Sequence, residues 1–434
     1  MKSFLFHLGL LVLMALVLAI WMALPWAGAL VIVALLALWM AATRSGRQAG
    51  AVTAVGLGTL RGRLGSSSVI VIGIAGVVGV LVALLAMGEG FRATLQSGGH
   101  DDTAIVLRGG SVAETQSVLL HDDIVAIAQA PGVARDASGK PLVSGELVVD
   151  ASVHEKAGGD ANAQLRGVDD TAWTLRPDLK LIAGRRFKPG LHELVVGQGA
   201  HRQFAGLDVG DVVRLGREDW RVVGVFASGD AYDSELWADR QTVAAIYRRG
   251  DSAESVLVKL ATPDAYTGFK TALAGDPRLK VEVATTREFF ARQSESLARV
   301  IRAVGIVVGT IMGLGAVFGA LNCMFAAVAG RAREIATLRA LGFRGGPVVA
   351  SVMLETMALA LLGGLIGAAF VWLLFDGYRA STLQGFTDVM FRFAVTPALM
   401  WTGLKWALAI GFIGGLFPAV RAARLSVTAA LREL

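Results

Sequence analysis

The sequence predicts an α-helical membrane protein with six transmembrane helices and a large mixed α+β extracytoplasmic domain on helical stalks. Apolar residues make up 54% of the 434-residue chain, and charged residues only 18%. An ordinary soluble domain has about 25% charged residues. The apolar residues also gather into stretches of membrane-spanning length, about 17–25 residues, while one long segment between them has the composition of a soluble domain.

Six apolar stretches define the predicted spans. They lie at Phe4–Leu24, Trp26–Ala42, Val69–Gly88, Val300–Ala329, Val348–Phe375 and Ala398–Val420. The first resembles a signal peptide because Lys2 precedes it, but its apolar core is too long and it meets the second stretch across Pro25 without a polar cleavage region. A two-helix hairpin is therefore predicted at the N-terminus.

Arginine placement predicts the orientation of these spans. Arginines follow the second span, separate the fourth from the fifth, and follow the sixth: Arg44, Arg47, Arg61, Arg63, Arg331, Arg333, Arg339, Arg344, Arg421, Arg424 and Arg432. By the positive-inside rule, both termini and the segment Arg331–Gly342 are cytoplasmic. The insertion from Gly90 to Arg299 then lies on the opposite side, in the periplasm or outside the cell.

The insertion is predicted to mix strands and helices. Short apolar runs bounded by glycine and aspartate indicate strands at Glu146–Val149, Glu193–Gly197, Val212–Leu215 and Trp220–Phe226. Helices are expected at Ile124–Ala130 and Thr242–Tyr247. Glu288–Arg299 continues helically into the fourth span, and the third span continues through Gly90–Leu95, which predicts two stalk helices. The single cysteine, Cys323, lies within a span, so no disulfide supports the domain.

The spans contain small residues at the spacing of close helix contacts. These pairs are Gly309-x3-Gly313, Gly315-x3-Gly319, Gly363-x3-Gly367 and Gly411-x3-Gly415, a spacing that lets helix backbones approach each other. Glu355 is the one carboxylate within the fifth span. An intramembrane acid is a candidate functional residue, and snorkelling or helix capping near the cytoplasmic end is the alternative role.

A short charged segment between the fourth and fifth spans is the main candidate functional element. Arg331–Gly342 cannot cross hydrocarbon because of its charges, so it is predicted to be an amphipathic helix on the membrane surface. Its apolar face comprises Ile335, Leu338 and Leu341 or Gly342. The charged residues expected to leave that face are Arg331, Arg333, Glu334 and Arg339. Such a helix is suited to receive a push from a cytoplasmic partner.

The motifs of common catalytic sites are missing from the sequence. There is no Gly-x4-Gly-Lys-Ser/Thr loop, and Ser138-Gly139-Lys140-Pro141 lacks both its spacing and its hydroxyl. His192-Glu193 is not followed by a histidine at zincin spacing. We therefore predict no catalytic, cofactor-binding or metal-binding residues. The net charge of +6 reflects arginines beside the spans, which argues against nucleic-acid binding.

Specific motifs resemble a known family. The run from Arg331 to Phe343, followed by Glu355 and Gly363-Gly364, resembles the FtsX-type permease module of MacB-type ABC transporters. The insertion resembles the periplasmic core domain of the same family, at Leu165-Arg-Gly-Val168, Gly184-Arg-Arg-Phe187, Glu193–Gly197, Trp220–Phe226 and Ser234–Asp239. The resemblance covers roughly residues 50 to 434. It departs from the family's usual four spans by the N-terminal hairpin, and from MacB itself by the missing ATPase part.

The resemblance implies four regions. They are an extra hairpin (1–48), a cytoplasmic lead-in with the third span (49–90), a periplasmic MacB-like core domain (91–299), and an FtsX-like permease module (300–434) that contains the coupling helix 331–342. It also implies a multi-pass protein of the bacterial inner membrane. ATP and Mg²⁺ would be bound by a partner ATPase, whose closure would move the coupling helix and the periplasmic domains without passage of a substrate through the spans.

The implied partners are an ABC ATPase dimer and a second permease, either an identical copy or a paralogue. A periplasmic membrane-fusion adaptor and an outer-membrane channel are further candidates. Export or efflux from the periplasm is the expected function. Two alternatives stay open: a permease that releases lipoprotein or lipid from the membrane, and an FtsX-like membrane regulator of cell-wall hydrolases.

Overall fold

Two kinds of local structure divide the chain. The computed structural model describes residues 16–58, 64–384 and 387–424. Apolar helices form the membrane unit, made of Met1–Gly88, Val300–Gly377 and Ala394–Leu434, and a mixed sheet dominates the sheet unit, made of Glu89–Arg299 and Tyr378–Phe393. The second unit therefore includes a segment that the sequence analysis assigns to the permease module.

The helices, in chain order, are α1 Leu16–Ala23, α2 Trp26–Ala42, α3 Arg44–Gly58, α4 Leu64–Ser97, α5 His121–Gln129, α6 Thr171–Leu175, α7 Gln198–Gln203, α8 Arg240–Ile246, α9 Ala265–Gly275, α10 Thr286–Gly330, α11 Ala332–Ala340, α12 Gly345–Phe375 and α13 Pro397–Arg424. The strands are β1 Thr103–Arg108, β2 Val143–His154, β3 Asp160–Val168, β4 Lys180–Gly184, β5 Glu193–Gly197, β6 Val212–Leu215, β7 Glu218–Ala227, β8 Glu235–Asp239, β9 Ser255–Lys259, β10 Val281–Thr285, β11 Arg379–Gln384 and β12 Thr387–Arg392.

Four helices of the described chain, α4, α10, α12 and α13, are long and apolar enough to cross a membrane. They contain the last four predicted spans. As predicted, α4 continues past its apolar stretch to Ser97, and α10 begins before its stretch, at Thr286. The prediction of six spans is not confirmed.

The N-terminal hairpin explains the difference. Residues 4–15 of the predicted span Phe4–Leu24 lie outside the described residues. The described part of this span, α1, joins α2 through a bend of 116°. Together the two helices are long and apolar enough for one span that is broken at the bend. Pro25 accounts for the break, because proline has no N–H to continue the hydrogen bonding of α1.

Glycines bring the helices of the membrane unit into close contact, as their spacing predicts. A Cβ atom at Gly363 would lie 2.7 Å from the Val71 carbonyl oxygen of α4, and one at Gly367 would overlap the carbonyl oxygen of Ala75. In α13, a Cβ atom at Gly415 would lie 2.8 Å from the hydroxyl of Thr356 in α12. Helix α12 is therefore packed tightly between α4 and α13.

The pair Gly315 and Gly319 in α10 behaves differently. A Cβ atom at either position would meet no atom of the described chain within 4 Å. The other glycine pair of α10 does pack internally, since a Cβ atom at Gly309 would lie 3.0 Å from Leu81. Spacing alone does not separate the two cases, because both pairs have the same three-residue interval.

Within the described residues, the sheet unit contains a ten-stranded mixed sheet. Its strand order is β10-β1-β9-β2-β3-β8-β5-β7-β4, and β6 also pairs with β7. The pairs β3–β8 and β5–β7 are parallel, and the other described pairs of this sheet are antiparallel. All four predicted strands are present, as are both predicted helices. Alternating apolar residues form one core around Trp220 and Leu236 and a second around Phe269 and Val258.

The hairpin of β11 and β12 packs within the sheet unit. The ring centroids of Phe391 and Phe91 are 5.8 Å apart, and both side chains are buried. The Met390 amide donates a hydrogen bond to the hydroxyl of Ser234 at 2.9 Å. These contacts join segments far apart in sequence, which explains why the sequence analysis places the hairpin elsewhere.

Candidate functional site

Helix α11 is shorter than predicted, and its end has a clear cause. Gly342 has φ of +94°, a left-handed conformation that glycine adopts without steric cost. The amide of Gly342 donates to the carbonyl of Arg339 at 3.1 Å, and the amide of Phe343 donates to that of Leu338 at 3.1 Å. This pair of hydrogen bonds is a Schellman motif. Gly342 therefore terminates the helix rather than contributing to its apolar face.

The apolar face of α11 is narrower than the sequence suggests. Ile335 and Ala336 are buried and Leu338 is half-buried, whereas Leu341 is 73% exposed. The expectation that Leu341 joins this face is wrong, because the helix ends at Ala340 and the chain turns at Leu341.

The charged residues of α11 fall into two groups. Arg333 and Glu334 are exposed, as predicted, and Arg339 is half-buried. The side chain of Arg331 is only 15% exposed. The expectation that Arg331 leaves the buried face is therefore wrong, and the reason is its partner on α12.

Glu355 of α12 forms a buried ion pair with Arg331. The guanidinium Nη1 of Arg331 donates to Oε2 of Glu355 at 2.9 Å, and the Glu355 side chain is 4% exposed. The Nε of Arg331 also lies 3.4 Å from Oε2 of Glu334, whose side chain is 60% exposed. Arg331 thus connects the start of α11 to the interior of α12, which makes the pair an anchor for α11.

Comparison with known proteins supports the resemblance noted in the sequence. The MacB-like periplasmic core domain model matches residues 67–275. The FtsX-like permease C-terminal model matches residues 306–427, which include α11 and Glu355. The chain belongs to the MacB/FtsX-type ABC transporter permeases. These matches begin after the described N-terminal helices α1, α2 and α3.

Individual relatives of this permease are exporters with an ATP-binding part. The macrolide export ATP-binding/permease protein MacB of Rhodopseudomonas palustris (strain HaA2) is 25% identical over 386 residues, which cover 83% of this chain and 56% of that protein. The pyoverdine export ATP-binding/permease protein PvdT of Pseudomonas entomophila (strain L48) is 25% identical over 385 residues, with the same shares covered. The permease thus spans little more than half the length of these relatives.

Among solved structures, the periplasmic region of MacB from Actinobacillus actinomycetemcomitans is 16% identical. That match covers 47% of this permease and 94% of that chain, with a TM-score of 0.33.

The sheet unit of the permease contains a buried ionic cluster that the sequence analysis missed. It comprises Arg166, Arg176, Glu114, Glu146 and Glu235. The Arg166 side chain is 2% exposed, and it contacts all three glutamates at 2.7–3.0 Å. Arg176 donates twice to Glu146 at 2.7 Å. Two guanidinium groups thus face three carboxylates, which leaves one formal negative charge in the interior.

The electrostatics of the ionic cluster follow from this charge balance. Burial opposes ionisation, yet the glutamates hold the pKa of Arg166 well above its ordinary value. Burial also opposes the charge of Glu114, but the charge of Arg166 outweighs it and lowers the pKa of Glu114. For Glu235, burial prevails and its pKa is raised. Glu235 is therefore the carboxylate of the cluster in which burial outweighs the pairing with Arg166.

A second missed feature of the permease is a lysine within its last long helix. Lys405 of α13 donates through Nζ to the carbonyl of Met22 at 2.6 Å. In return, Nε1 of Trp21 donates to the backbone carbonyl of Lys405 at 2.9 Å. The Trp21 and Trp401 rings also meet edge to face, with centroids 6.4 Å apart. Met22 lies in the last turn of α1, where carbonyls lack a partner within the helix, so Lys405 docks α1 onto α13.

Replacing Lys405 by methionine should loosen this docking. Methionine keeps the apolar stem but leaves the Met22 carbonyl without its donor, so we expect a loss of about 0.6–2 kcal/mol in stability, the range for hydrogen bonds between membrane helices. The melting temperature of the detergent-solubilised chain measures this loss. In a chain lacking residues 1–24 the same substitution should not destabilise. An equal loss in both backgrounds would contradict the docking role.

Proposed function

We propose that the chain is the transmembrane permease subunit of an ABC exporter, and that it couples ATP hydrolysis by a separate ATPase to movement of its periplasmic domain. The observation that carries this proposal is α11, a short charged helix that is anchored on one side and exposed on the other. Family membership supports the exporter class, because relatives of the chain are named as export ATP-binding/permease proteins.

The exposed side of α11 has the properties of a protein contact. Arg333 and Glu334 present charges of both signs, and the apolar side chain of Leu341 lies 73% exposed at the end of the helix. Contact with anionic lipid would favour the arginine but not the glutamate, which stays 60% exposed although it lies 3.4 Å from Arg331. A partner surface explains both charges, because complementary charge fixes register at an interface. Leu341 then supplies an apolar anchor.

The remaining assignments of this proposal follow the family. ATP and Mg²⁺ are bound by the partner ATPase dimer, and a second permease, identical or paralogous, completes the transporter. Both termini and α11 lie in the cytoplasm, the large domain lies in the periplasm, and the protein resides in the bacterial inner membrane. A membrane-fusion adaptor and an outer-membrane channel act with it in efflux. The arginines that flank the spans support this orientation.

The test replaces two exposed residues of α11. In the chain with Glu334→Ala and Leu341→Asp, we expect normal insertion but a loss of at least about 2 kcal/mol in binding of the ATPase, roughly thirtyfold in affinity. Affinity purification from detergent, followed by mass spectrometry and quantification of the P-loop subunit, measures this loss.

A matched control introduces the same charge elsewhere. Val112 in the sheet unit is 77% exposed, so Val112→Asp changes an equally exposed apolar side chain and should leave ATPase binding unchanged. If the α11 variant retains as much ATPase as the control, α11 is not the coupling element. If no P-loop subunit copurifies with the unaltered chain, the proposal of a separate ATPase is wrong.

A further inference from the structure

The ion pair of Arg331 and Glu355 lies against a third helix. Gly56 is a buried residue of α3, two positions before the helix ends at Gly58. A Cβ atom at Gly56 would lie 3.2 Å from Oε2 of Glu355 and 3.4 Å from Nη2 of Arg331. At Gly58, a Cβ atom would meet no atom of the described residues within 4 Å. Helix α3 therefore approaches both charged groups at Gly56, where a larger side chain would press on the pair.

Arg331 is mechanically part of α11. It is the residue immediately before the helix, and its carbonyl accepts a hydrogen bond from the Ile335 amide at 2.9 Å. A displacement of α11 therefore displaces Arg331 as well. The Arg331 side chain is only 15% exposed and its guanidinium donates to Glu355 at 2.9 Å, so a displacement of Arg331 acts on that carboxylate.

Burial keeps the pair together while the helices move. A buried charge that loses its partner is strongly disfavoured, and the Glu355 side chain is 4% exposed. Helix α12 continues from Glu355 to Phe375 as one helix, and α3 packs against α12. Any shift of Arg331 is therefore passed to α12 directly, and to α3 through the contact at Gly56.

We propose that Arg331, Glu355 and Gly56 form a three-helix junction through which movement of α11 reaches α12 and α3. Arg331 and Glu355 are its positioning residues, and Gly56 allows α3 to lie against them. This inference rests on the proposed function of α11 and adds the route by which its movement enters the membrane unit. It also gives α3, which neither family model matches, a role in the coupling.

The first test is a pair of charge removals in the full-length chain, coexpressed with the P-loop ATPase that copurifies with it. The variants are Arg331→Met, Glu355→Met and the double variant. Each single variant should reduce permease-stimulated ATP turnover by about tenfold or more, within the range of coupling between two sites, while the amount of bound ATPase stays unchanged. The double variant should lose less than the product of the two single losses, because neither charge is then left unpaired.

The second test uses two glycines of the same helix and leaves every charge in place. Gly56→Ala should reduce stimulated turnover and give the permease alone a lower melting temperature than Gly58→Ala does, because both changes gain helix propensity but only the methyl group at position 56 presses on the ion pair. Gly58→Ala is the matched control and should leave stimulated turnover unchanged, because its methyl group meets no described atom within 4 Å.

The outcomes separate the junction from the function on which it rests. Normal stimulation in Arg331→Met and Glu355→Met, or equal behaviour of the two glycine variants, overturns the junction and leaves the exporter proposal in place. Losses that multiply in the double variant also overturn it, because independent residues behave in that way. If the unaltered chain neither binds nor stimulates an ATPase, the proposed function is wrong and the junction falls with it.

Discussion

Arg166→Met should destabilise the sheet unit by about 3–5 kcal/mol, the cost of breaking a buried ion pair from one side. The substitution leaves the carboxylates of Glu114, Glu146 and Glu235 in the interior with only Arg176 to balance them. Unfolding of the purified full-length chain in denaturant, followed by tryptophan fluorescence, measures the loss. Trp237 reports on the ionic cluster because its Nε1 donates to Glu235 at 2.8 Å.

An exposed arginine provides the matched control. Arg287 pairs with Asp101 at 2.8 Å, and the two side chains are 58% and 56% exposed. Arg287→Met should cost about 0–1 kcal/mol, as expected for a surface salt bridge. If the two substitutions destabilise equally, the ionic cluster contributes no more than a surface ion pair, and our account of its energetics is incorrect.

Gly367→Val should disrupt the packing of the membrane unit. A side chain at Gly367 overlaps the Ala75 carbonyl of α4, and rigid backbone cannot yield as a flexible side chain can. Overpacking of this kind costs about 1–3 kcal/mol or more. Among membrane helices, van der Waals contact is a main source of stability. The melting temperature of the detergent-solubilised chain and its elution profile measure the effect.

Gly319→Val tests whether the effect depends on packing. It places the same side chain in a long apolar helix at a position with no described neighbour within 4 Å. Its effect on helix propensity should equal that of Gly367→Val, so any difference reflects helix contact. Similar melting temperatures for both variants would show that α12 and α4 do not depend on this close approach.

Periodicity and composition predicted much of the architecture. The last four spans, the two helical continuations and four of the ten described strands of the sheet follow local patterns, because burial on one face or all faces selects the residues of each element. The charged helix after the fourth span was recognisable for the same reason. The end of this helix could not be predicted in the same way, because apolar spacing places Gly342 on the apolar face and does not indicate the left-handed turn found there.

Contacts between distant residues could not be predicted in this way. Arg166 belongs to a motif noted in the sequence, but its partners lie 20, 52 and 69 positions away. Glu235 reaches Arg166 because β3 pairs in parallel with β8, and Glu146 reaches it because β3 pairs with β2, at registers that a single sequence does not specify. Arg331 and Glu355 are likewise 24 positions apart. The sequence pattern indicates a surface charge at Arg331 and an intramembrane acid at Glu355, but not that the two residues pair.

The hydrogen bond from Lys405 to Met22 can form only late in the synthesis of the chain. Its two residues are 383 positions apart, so Met22 must wait for Lys405 to be synthesised. Until then, α1 keeps an unsatisfied carbonyl and Lys405 has no partner within the bilayer, where unpaired polar groups are costly. The contact therefore closes late in biogenesis, and a chain that stalls before α13 lacks the groups that dock α1.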